Sequence, residues 1–375
     1  MLNVNKIIPF MLIFFFISGT FATTTFNSVS ALELVEDSWN TKTPSSDPER
    51  VGFRVVAVEG KIYAIGGFHY VEVQNPFYPQ YGESYLGTNE QYDPVTDTWI
   101  TLATMPTPRA HFAITEYQGK IYCIGSLHMH SCVVEAYDPA TDSWSTKADL
   151  PVSLPYPHHT QAHVVNDKLF VRTFNELFMY NSVQDSWIEK TPIHGSELRH
   201  YVTSVVVDDK IIVFYPDAVD NTYDQPFNVN VAIYDPKMDG WSEGKTQEIG
   251  LDGSIMGAGV TTGVYAPKNV YLFGSNRGSQ FITWVYNLVK DAWSTAKAAP
   301  NRLSVYGVTE IDDVLYVFGS TENGEVNMQY VPIGYEPRGY QTFPTGYVVA
   351  IIGLTASIVI VITSLFFYTK RRKNR

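Results

Sequence analysis

Residues 92–99 have the sequence YDPVTDTW: a tyrosine, an Asp-Pro turn, and then an aspartate two residues before a tryptophan. The Asp-x-Trp end of this stretch occurs six times in the chain, at Asp37 and Trp39, Asp97 and Trp99, Asp142 and Trp144, Asp185 and Trp187, Asp239 and Trp241, and Asp291 and Trp293. Successive tryptophans are 60, 45, 43, 54 and 52 residues apart. This spacing is close to the roughly 40–50 residues of one four-stranded propeller blade, so the sequence predicts a repeat architecture in which the six tryptophans are structural residues.

Each unit has the same order of strand and turn signals around its tryptophan. A tyrosine and a turn, such as Tyr137-Asp138-Pro139, precede the tryptophan. Earlier in the unit lies a run of β-branched and aromatic residues entered through a turn, such as residues 60–67 (GKIYAIGG). Runs of this composition between turns are typical of strands. We therefore expect four strands in each unit, named a to d in chain order.

Three markers in this order resemble the kelch repeat: Gly66-Gly67 after strand b, the Tyr-Asp-Pro between strands c and d, and the tryptophan of strand d. The resemblance covers residues 32–335 and implies an all-β, kelch-type β-propeller. Only the first unit keeps the double glycine. The third and fourth units depart most, with Thr173-Phe174 and Tyr215-Pro216 in its place.

The first and last units are halves of one blade. Residues 303–332 supply strands a, b and c but have no tryptophan after Tyr330, whereas Trp39 has no strands a to c before it. An N-terminal strand at residues 32–39 would complete this blade and remove an open sheet edge, which is an aggregation hazard. The sequence therefore predicts a six-bladed ring closed by its own N-terminal strand.

Apolar runs near both ends of the sequence predict export and membrane anchoring. Residues 7–17 are apolar, follow Lys6 and precede small residues, as in a signal peptide. Residues 347–368 carry no charge and would rise about 33 Å as a helix, enough to span a bilayer. Five basic residues follow, which the positive-inside rule places in the cytoplasm. We therefore expect a single-pass cell-membrane protein with signal peptide 1–22, extracytoplasmic propeller 32–335, stalk 336–346, transmembrane α-helix 347–369 in the lipid bilayer, and cytoplasmic tail 370–375.

The charge of the exported part argues against nucleic acid as a partner. Without Lys6 and the five basic residues of the tail, 20 basic residues stand against 38 acidic ones, a net charge of −18. Phosphate binding needs a basic surface, so no nucleic-acid contact is expected. The sequence also lacks the Gly-x-Ser-x-Gly and His-Glu-x-x-His signatures, and its histidine spacings match no zinc pattern. No catalytic residue, cofactor or metal site is therefore predicted.

Four arginines form the first group of candidate binding residues. Arg50, Arg109 and Arg199 each lie eleven residues before the lysine that opens strand b, and Arg302 is nearly equivalent. Around the mouth of a central channel their guanidinium groups would hold an anion by bidentate hydrogen bonds. The alternative is that these arginines are structural contacts between blades.

Tyrosines in a long loop form the second group. The b-c loop of the first unit, residues 68–89, contains Tyr70, Tyr78 and Tyr81, and it lies on the same face as the acidic b-c loop at residues 215–228. Exposed tyrosines suit contact with a protein or a glycan, although they also suit packing of the loop onto the ring. The main hypothesis is therefore a cell-surface module that binds a protein or glycan ligand through this face.

The kelch resemblance leaves an enzyme as the alternative. Some six-bladed, exported kelch propellers are sialic-acid mutarotases, and the resemblance implies that such a sugar-modifying enzyme would use an arginine clamp with an acid or base. Arg109 or Arg199 with His200 or Glu197 would fill those roles.

The two cysteines, Cys123 and Cys132, both lie in the second unit, on either side of the loop at residues 126–131. A hairpin that pairs residue 124 with residue 131 would set them opposite each other. In an oxidising exterior they would then form a disulfide; the alternative is two buried free thiols.

Overall fold

A computed structural model describes residues 34–336, apart from residues 74–79, 126–131, 153–159, 174–175, 194–201, 217–226, 252–254 and 276–280. The described residues from Glu36 to Glu336 belong to one compact unit. The predicted signal peptide, the transmembrane segment 347–369, the basic tail and all but the first residue of the stalk lie outside the described residues. Within the described part, no helix has the length and apolar character that a membrane span requires.

The described residues form 27 strands, most of them in six antiparallel sheets. In chain order the strands are β1 (Ser38–Lys42), β2 (Arg54–Val58), β3 (Lys61–Ile65), β4 (Phe68–Val73), β5 (Gln80–Tyr85), β6 (Asn89–Asp93), β7 (Thr98–Thr101), β8 (Ala113–Tyr117), β9 (Lys120–Ile124), β10 (Val134–Asp138), β11 (Ser143–Lys147), β12 (Gln161–Val165), β13 (Lys168–Arg172), β14 (Leu177–Asn181), β15 (Ser186–Lys190), β16 (Thr203–Val207), β17 (Lys210–Pro216), β18 (Phe227–Asp235), β19 (Gly240–Glu243), β20 (Gln247–Leu251), β21 (Ile255–Val260), β22 (Val270–Ser275), β23 (Phe281–Asn287), β24 (Ala292–Ala296), β25 (Ser304–Ile311), β26 (Val314–Thr321) and β27 (Gly324–Val331).

The sheets are the six predicted blades; strands a to d follow the chain order across five of them, whereas β1 is strand d of the sixth. Their strand orders are β2-β3-β6-β7, β8-β9-β10-β11, β12-β13-β14-β15, β16-β17-β18-β19, β21-β22-β23-β24 and β25-β26-β27-β1. Blade four has the extra strand β20 against β18, and β4 and β5 form a separate hairpin between strands b and c of blade one. The prediction of an all-β six-bladed propeller is confirmed.

Strand β1 lies at the outer edge of the sixth blade. It pairs antiparallel with β27, and Trp39 lies opposite Tyr330. The strand begins at Ser38 rather than at the predicted residue 32, because Asp37 has a left-handed φ of 50°, which an extended strand does not allow. Ser38 to Lys42 therefore supply the strand d that β25–β27 lack.

The Asp-x-Trp units join neighbouring blades through a clamp of three hydrogen bonds. In blade one, the Tyr92 hydroxyl donates to Oδ1 of Asp97 (2.5 Å), which also accepts from the amide of Thr43 (3.0 Å). The indole of Trp99 donates to the carbonyl of the same residue, Thr43 (2.9 Å). Four other units bind the preceding blade in this way: Trp39 donates to the carbonyl of Lys297, Trp144 to that of Ala103, Trp187 to that of Ala148 and Trp241 to that of Thr191.

The repeated residue types follow from this geometry. The six aspartates of the units have φ between 46° and 55°, a left-handed conformation that Asp tolerates better than most residues. The tyrosine ring packs against the tryptophan ring of the same unit, as in Tyr92 and Trp99 with centroids 5.0 Å apart. Blade five is the exception, because the indole of Trp293 has no hydrogen-bond partner within the described part of the chain.

Candidate functional site

The predicted aromatic loop of blade one is a β-hairpin in its described part. Strands β4 and β5 pair Phe68 with Tyr85, Tyr70 with Glu83 and Glu72 with Tyr81. Because side chains alternate between the two faces of a strand, these six residues lie on one face of the hairpin, the aromatic-acidic face.

The base of the hairpin is fixed to the ring, whereas its outer part is exposed. Phe68 is buried, its backbone exchanges two hydrogen bonds with Val51 (2.9 and 3.0 Å), and its ring packs edge-on against Tyr70. Beyond this anchor, the Tyr70 and Tyr81 side chains are 65% and 67% exposed. The third predicted tyrosine, Tyr78, lies outside the described residues.

Two of the four predicted arginines are buried in ion pairs. Arg50 is fully buried and its Nη2 lies 2.7 Å from Oε2 of Glu90. Arg109 is also fully buried; it pairs with Glu135 and donates from Nη2 to the carbonyl of Cys123 (2.9 Å). Both partners are glutamates of strand c, so each arginine joins the segment that enters a blade to strand c of the same blade.

The other two arginines have different surroundings. Arg199 lies outside the described residues, as do His200 and Glu197, and Arg302 is exposed. The paired glutamates lie two residues before the tyrosine of their unit, a position that Met328 occupies in blade six. A glutamate at this position is therefore the sequence signal that distinguishes the two buried arginines from the exposed Arg302.

The tryptophans of the repeat lie at the boundaries between blades. Trp144 packs into the apolar cluster between blades one and two, Trp187 into that between blades two and three, and Trp241 into that between blades three and four. Trp39 and Trp293 pack in the same way at the later boundaries. Trp99 contacts Phe318 of blade six, with ring centroids 6.1 Å apart. Each tryptophan therefore contributes apolar contacts between two neighbouring blades.

The inner strands a of all six blades line a central cavity of about 300 Å³. Arg54 lies in its wall at the start of β2, a position that the arginine pattern of the sequence did not include. Its Nε donates to the carbonyl of Phe112 (3.1 Å) and its Nη1 to the carbonyl of Tyr306 (2.5 Å). Burial lowers the pKa of Arg54 to about 10, so the guanidinium stays charged at neutral pH.

A polar network in blades three and four forms another part of the cavity wall. Gln161 Oε1 accepts hydrogen bonds from Ser204 Oγ (2.5 Å) and from Arg172 Nη2 (2.9 Å). His163 Nε2 lies 2.7 Å from Ser204 Oγ. Burial, together with the nearby charge of Arg172, lowers the pKa of His163 to about 3, so its imidazole is neutral.

No disulfide joins Cys123 and Cys132 in this structure. The predicted pairing of residue 124 with residue 131 is wrong, because Ile124 pairs with Val134 and Cys123 with Glu135. Cys123 is buried in strand β9, where desolvation raises its thiol pKa to about 12. The thiol of Cys132 instead contacts the carbonyl of Val152.

No group of three or more histidine, cysteine, aspartate or glutamate side chains is placed to hold a metal ion in the described part of the chain. The predicted acidic loop lies outside it between residues 217 and 226.

Comparison with known proteins identifies the repeat. Residues 49–106 and 108–151 match the Kelch motif family. Kelch-like protein terF of Aspergillus terreus is 27% identical over 212 residues, which cover 51% of this chain and 44% of that protein. The influenza virus NS1A-binding protein homolog of Mus musculus is 37% identical over 82 residues, or 22% of this chain and 11% of its own length. The chain thus spans less than half the length of these two relatives.

A solved structure, that of YjhT, superposes with a TM-score of 0.53 at 12% identity, covering 77% of this chain and 95% of that one. At this identity the likeness concerns the fold alone. Together with the sheet order and the two matched segments, it identifies the chain as a six-bladed β-propeller that carries kelch motifs.

Proposed function

We propose that this propeller is an interaction module that binds a protein partner through the aromatic-acidic face of its β4–β5 hairpin. Kelch propellers are commonly protein-interaction modules. The observation that carries the proposal is the exposure of Tyr70 and Tyr81 on a hairpin whose base is anchored by buried Phe68. Tyrosines on a fixed support offer a large contact area at a small entropic cost, as in other protein-binding surfaces.

The charge of this face defines the chemistry of the partner. Tyr70 and Tyr81 lie opposite Glu83 and Glu72 respectively, so aromatic rings alternate with carboxylates. Such a surface favours lysine or arginine side chains, which pair with the carboxylates and stack on the rings. A basic segment of a protein therefore fits this face better than an acidic one.

The proposal is tested by binding of the full-length protein to an array of basic peptides, acidic peptides and glycans. We expect binding to basic peptides, and we expect the double variant Tyr70→Ser/Tyr81→Ser to lose most of it. The matched control is Val95→Ser/Val183→Ser, which changes two exposed apolar residues in turns between strands c and d, the end of the blades opposite to the b-c loops.

Equal loss in both double variants, or binding restricted to acidic peptides, contradicts the proposal. Binding to glycans that depends on the two tyrosines instead supports a carbohydrate partner at the same face.

We further propose that the propeller is displayed outside the cell and anchored by residues 347–369. The support is the uncharged run followed by five basic residues in the sequence. Protease added to intact cells that express the full-length chain should then digest the propeller. A propeller that is cut only after the cells are lysed rules out this orientation.

A further inference from the structure

The four most exposed large apolar side chains of the described residues lie at the same end of the blades. These apolar tips are Val95, Val183, Met238 and Val289, each 79% to 94% exposed, and each lies in the turn between strands c and d of a different blade. Because neighbouring strands are antiparallel, the turns between strands a and b lie at this end too, and we call it the turn face. Single exposed apolar residues are ordinary on a protein surface, but four on one face indicate a contact surface.

The chain also leaves the ring at the turn face. Strand β27 is a strand c, so its last residue, Val331, lies at this end. The backbone N–H of Glu336 then donates to the carbonyl of Tyr265 (2.7 Å), in the loop between strands a and b of blade five. That loop is itself held by Asp313, whose carboxylate accepts hydrogen bonds from four of its backbone amides. The exit of the chain is therefore fixed on the turn face.

The proposed anchor, residues 347–369, begins shortly after this exit. Ten residues, 337–346, lie between the two. A flexible chain of ten residues has an average end-to-end distance of about 17 Å. The eight residues of β27 alone rise about 27 Å along the blade. If residues 347–369 anchor the chain, the turn face is therefore the side of the ring nearest the bilayer.

We propose, on the basis of this proposed anchoring, that the turn face lies against the lipid surface and that the apolar tips contact the headgroup region. In a propeller the corresponding turns surround one axis, so the tips can meet a flat surface together. Burial of apolar area at the bilayer interface is favourable, and the tether supplies a high effective concentration, so weak contacts suffice. The aromatic-acidic face, at the other end of the blades, is then directed away from the membrane.

The charges of the turn face define the kind of lipid. Lys61 pairs with Asp93 (2.5 Å) and Lys268 with Asp208 (2.6 Å), so these two cations are already neutralised. Glu59, in the turn between strands a and b of blade one, is exposed. Such a surface offers little attraction to an anionic headgroup and favours a zwitterionic lipid such as phosphatidylcholine.

Phosphatidylcholine vesicles that carry the full-length protein test this orientation. A dye is attached either at Val289→Cys on the turn face or at Ser84→Cys, an exposed position of β5. Both proteins also carry Cys132→Ser, whereas the buried Cys123 is shielded from the dye. A nitroxide on the lipid headgroup quenches the dye only near contact. We expect quenching at position 289 to be severalfold stronger than at position 84.

Further variants test whether the apolar tips make the contact. With the dye at position 289, the triple variant Val95→Ser/Val183→Ser/Met238→Ser should lower the quenching about twofold or more, since interfacial binding scales with the apolar area buried. The matched control is Ile100→Ser/Ile188→Ser, which removes two exposed apolar side chains from strands d. It should leave the quenching unchanged.

Flotation of the vesicles in a density gradient separates this inference from the anchoring on which it rests. A protein that does not float with the vesicles overturns the anchoring and the orientation together. A protein that floats overturns the orientation alone in two cases: when position 289 is quenched no more than position 84, and when the three serines leave the quenching unchanged.

Discussion

Replacing Asp97 by alanine tests whether the Asp-x-Trp clamp holds neighbouring blades together. The substitution removes two hydrogen bonds to the carboxylate, from the Tyr92 hydroxyl (2.5 Å) and the Thr43 amide (3.0 Å). Hydrogen bonds to charged groups contribute about 1.5–3 kcal/mol each, and partial exposure places these near the lower value. Alanine at a left-handed φ costs about 1 kcal/mol more. We therefore expect the free energy of unfolding to fall by about 4 kcal/mol.

Asp291→Ala is the matched comparison. Asp291 has a similar left-handed φ, 46° against 55° for Asp97, and accepts a hydrogen bond from the Tyr286 hydroxyl (2.7 Å). Among the described residues, however, no hydrogen bond joins Asp291 to the preceding blade. The expected loss is therefore smaller by one charged hydrogen bond, about 1.5 kcal/mol. Urea unfolding followed by tryptophan fluorescence measures both variants. Equal losses would show that the bond between blades contributes nothing.

Three further substitutions test other parts of the fold. Gly66→Ala should destabilise the protein far more than Gly60→Ala in thermal unfolding: both have positive φ, but a Cβ at Gly66 would lie 2.3 Å from the carbonyl oxygen of Arg109, whereas one at Gly60 meets nothing within 4 Å. Arg109→Met should cost about 3–5 kcal/mol because it leaves Glu135 buried without its cation, and adding Glu135→Leu should restore part of that loss in a double-mutant cycle. Burial acts to raise the pKa of Asp239, but hydrogen bonds from a lysine, a tyrosine and a backbone amide outweigh it and lower the pKa to about 2. This carboxylate therefore stabilises the fold above about pH 4, with the contribution lost as pH falls through about 2, and Asp239→Asn should flatten the acid limb of a stability-against-pH curve.

The fold was predictable because its strongest sequence signal, the Asp-x-Trp unit, consists of the residues that bind the preceding blade in almost every blade. Asp97 accepts from the backbone N–H of Thr43 and Trp99 donates to the backbone carbonyl of the same residue, so the pair binds both polar backbone groups of one residue in the neighbouring blade. The same signal persists in units three and four, where the double glycine is lost but Trp187 and Trp241 still bind the preceding blade. It therefore located the blades even where the kelch resemblance was weakest.

The site was less predictable, because equal spacing along the chain does not establish equal surroundings. Arg50 and Arg302 occupy nearly equivalent positions, yet one is buried against Glu90 and the other is exposed. The difference depends on a residue of another strand. The arginine pattern did not include Arg54 for a related reason. Arg54 lies in the wall of a cavity formed by all six inner strands, and no local pattern in the sequence encodes that position.

The incomplete clamp of blade five follows the one blade that has an extra strand among the described residues. After strand d of blade four, Gly244 donates to the carbonyl of Val231 (2.8 Å), and the chain returns as β20 to pair with β18. In the other blades the clamped residue lies four positions after the tryptophan of strand d, as Thr43 follows Trp39. In blade four this position is Lys245, two residues before β20, and the indole of Trp293 has no acceptor in the described structure.

The contact between blades four and five then depends mainly on apolar packing, such as that of Phe214 against Trp293 with ring centroids 5.9 Å apart. We therefore expect this to be the boundary at which the ring opens first. Hydrogen exchange of the full-length protein should be faster at the amides of residues 245 and 246 than at the clamped amides of Ala103 and Ala148. Equal protection would show that apolar packing alone holds the blades as firmly as the clamp does.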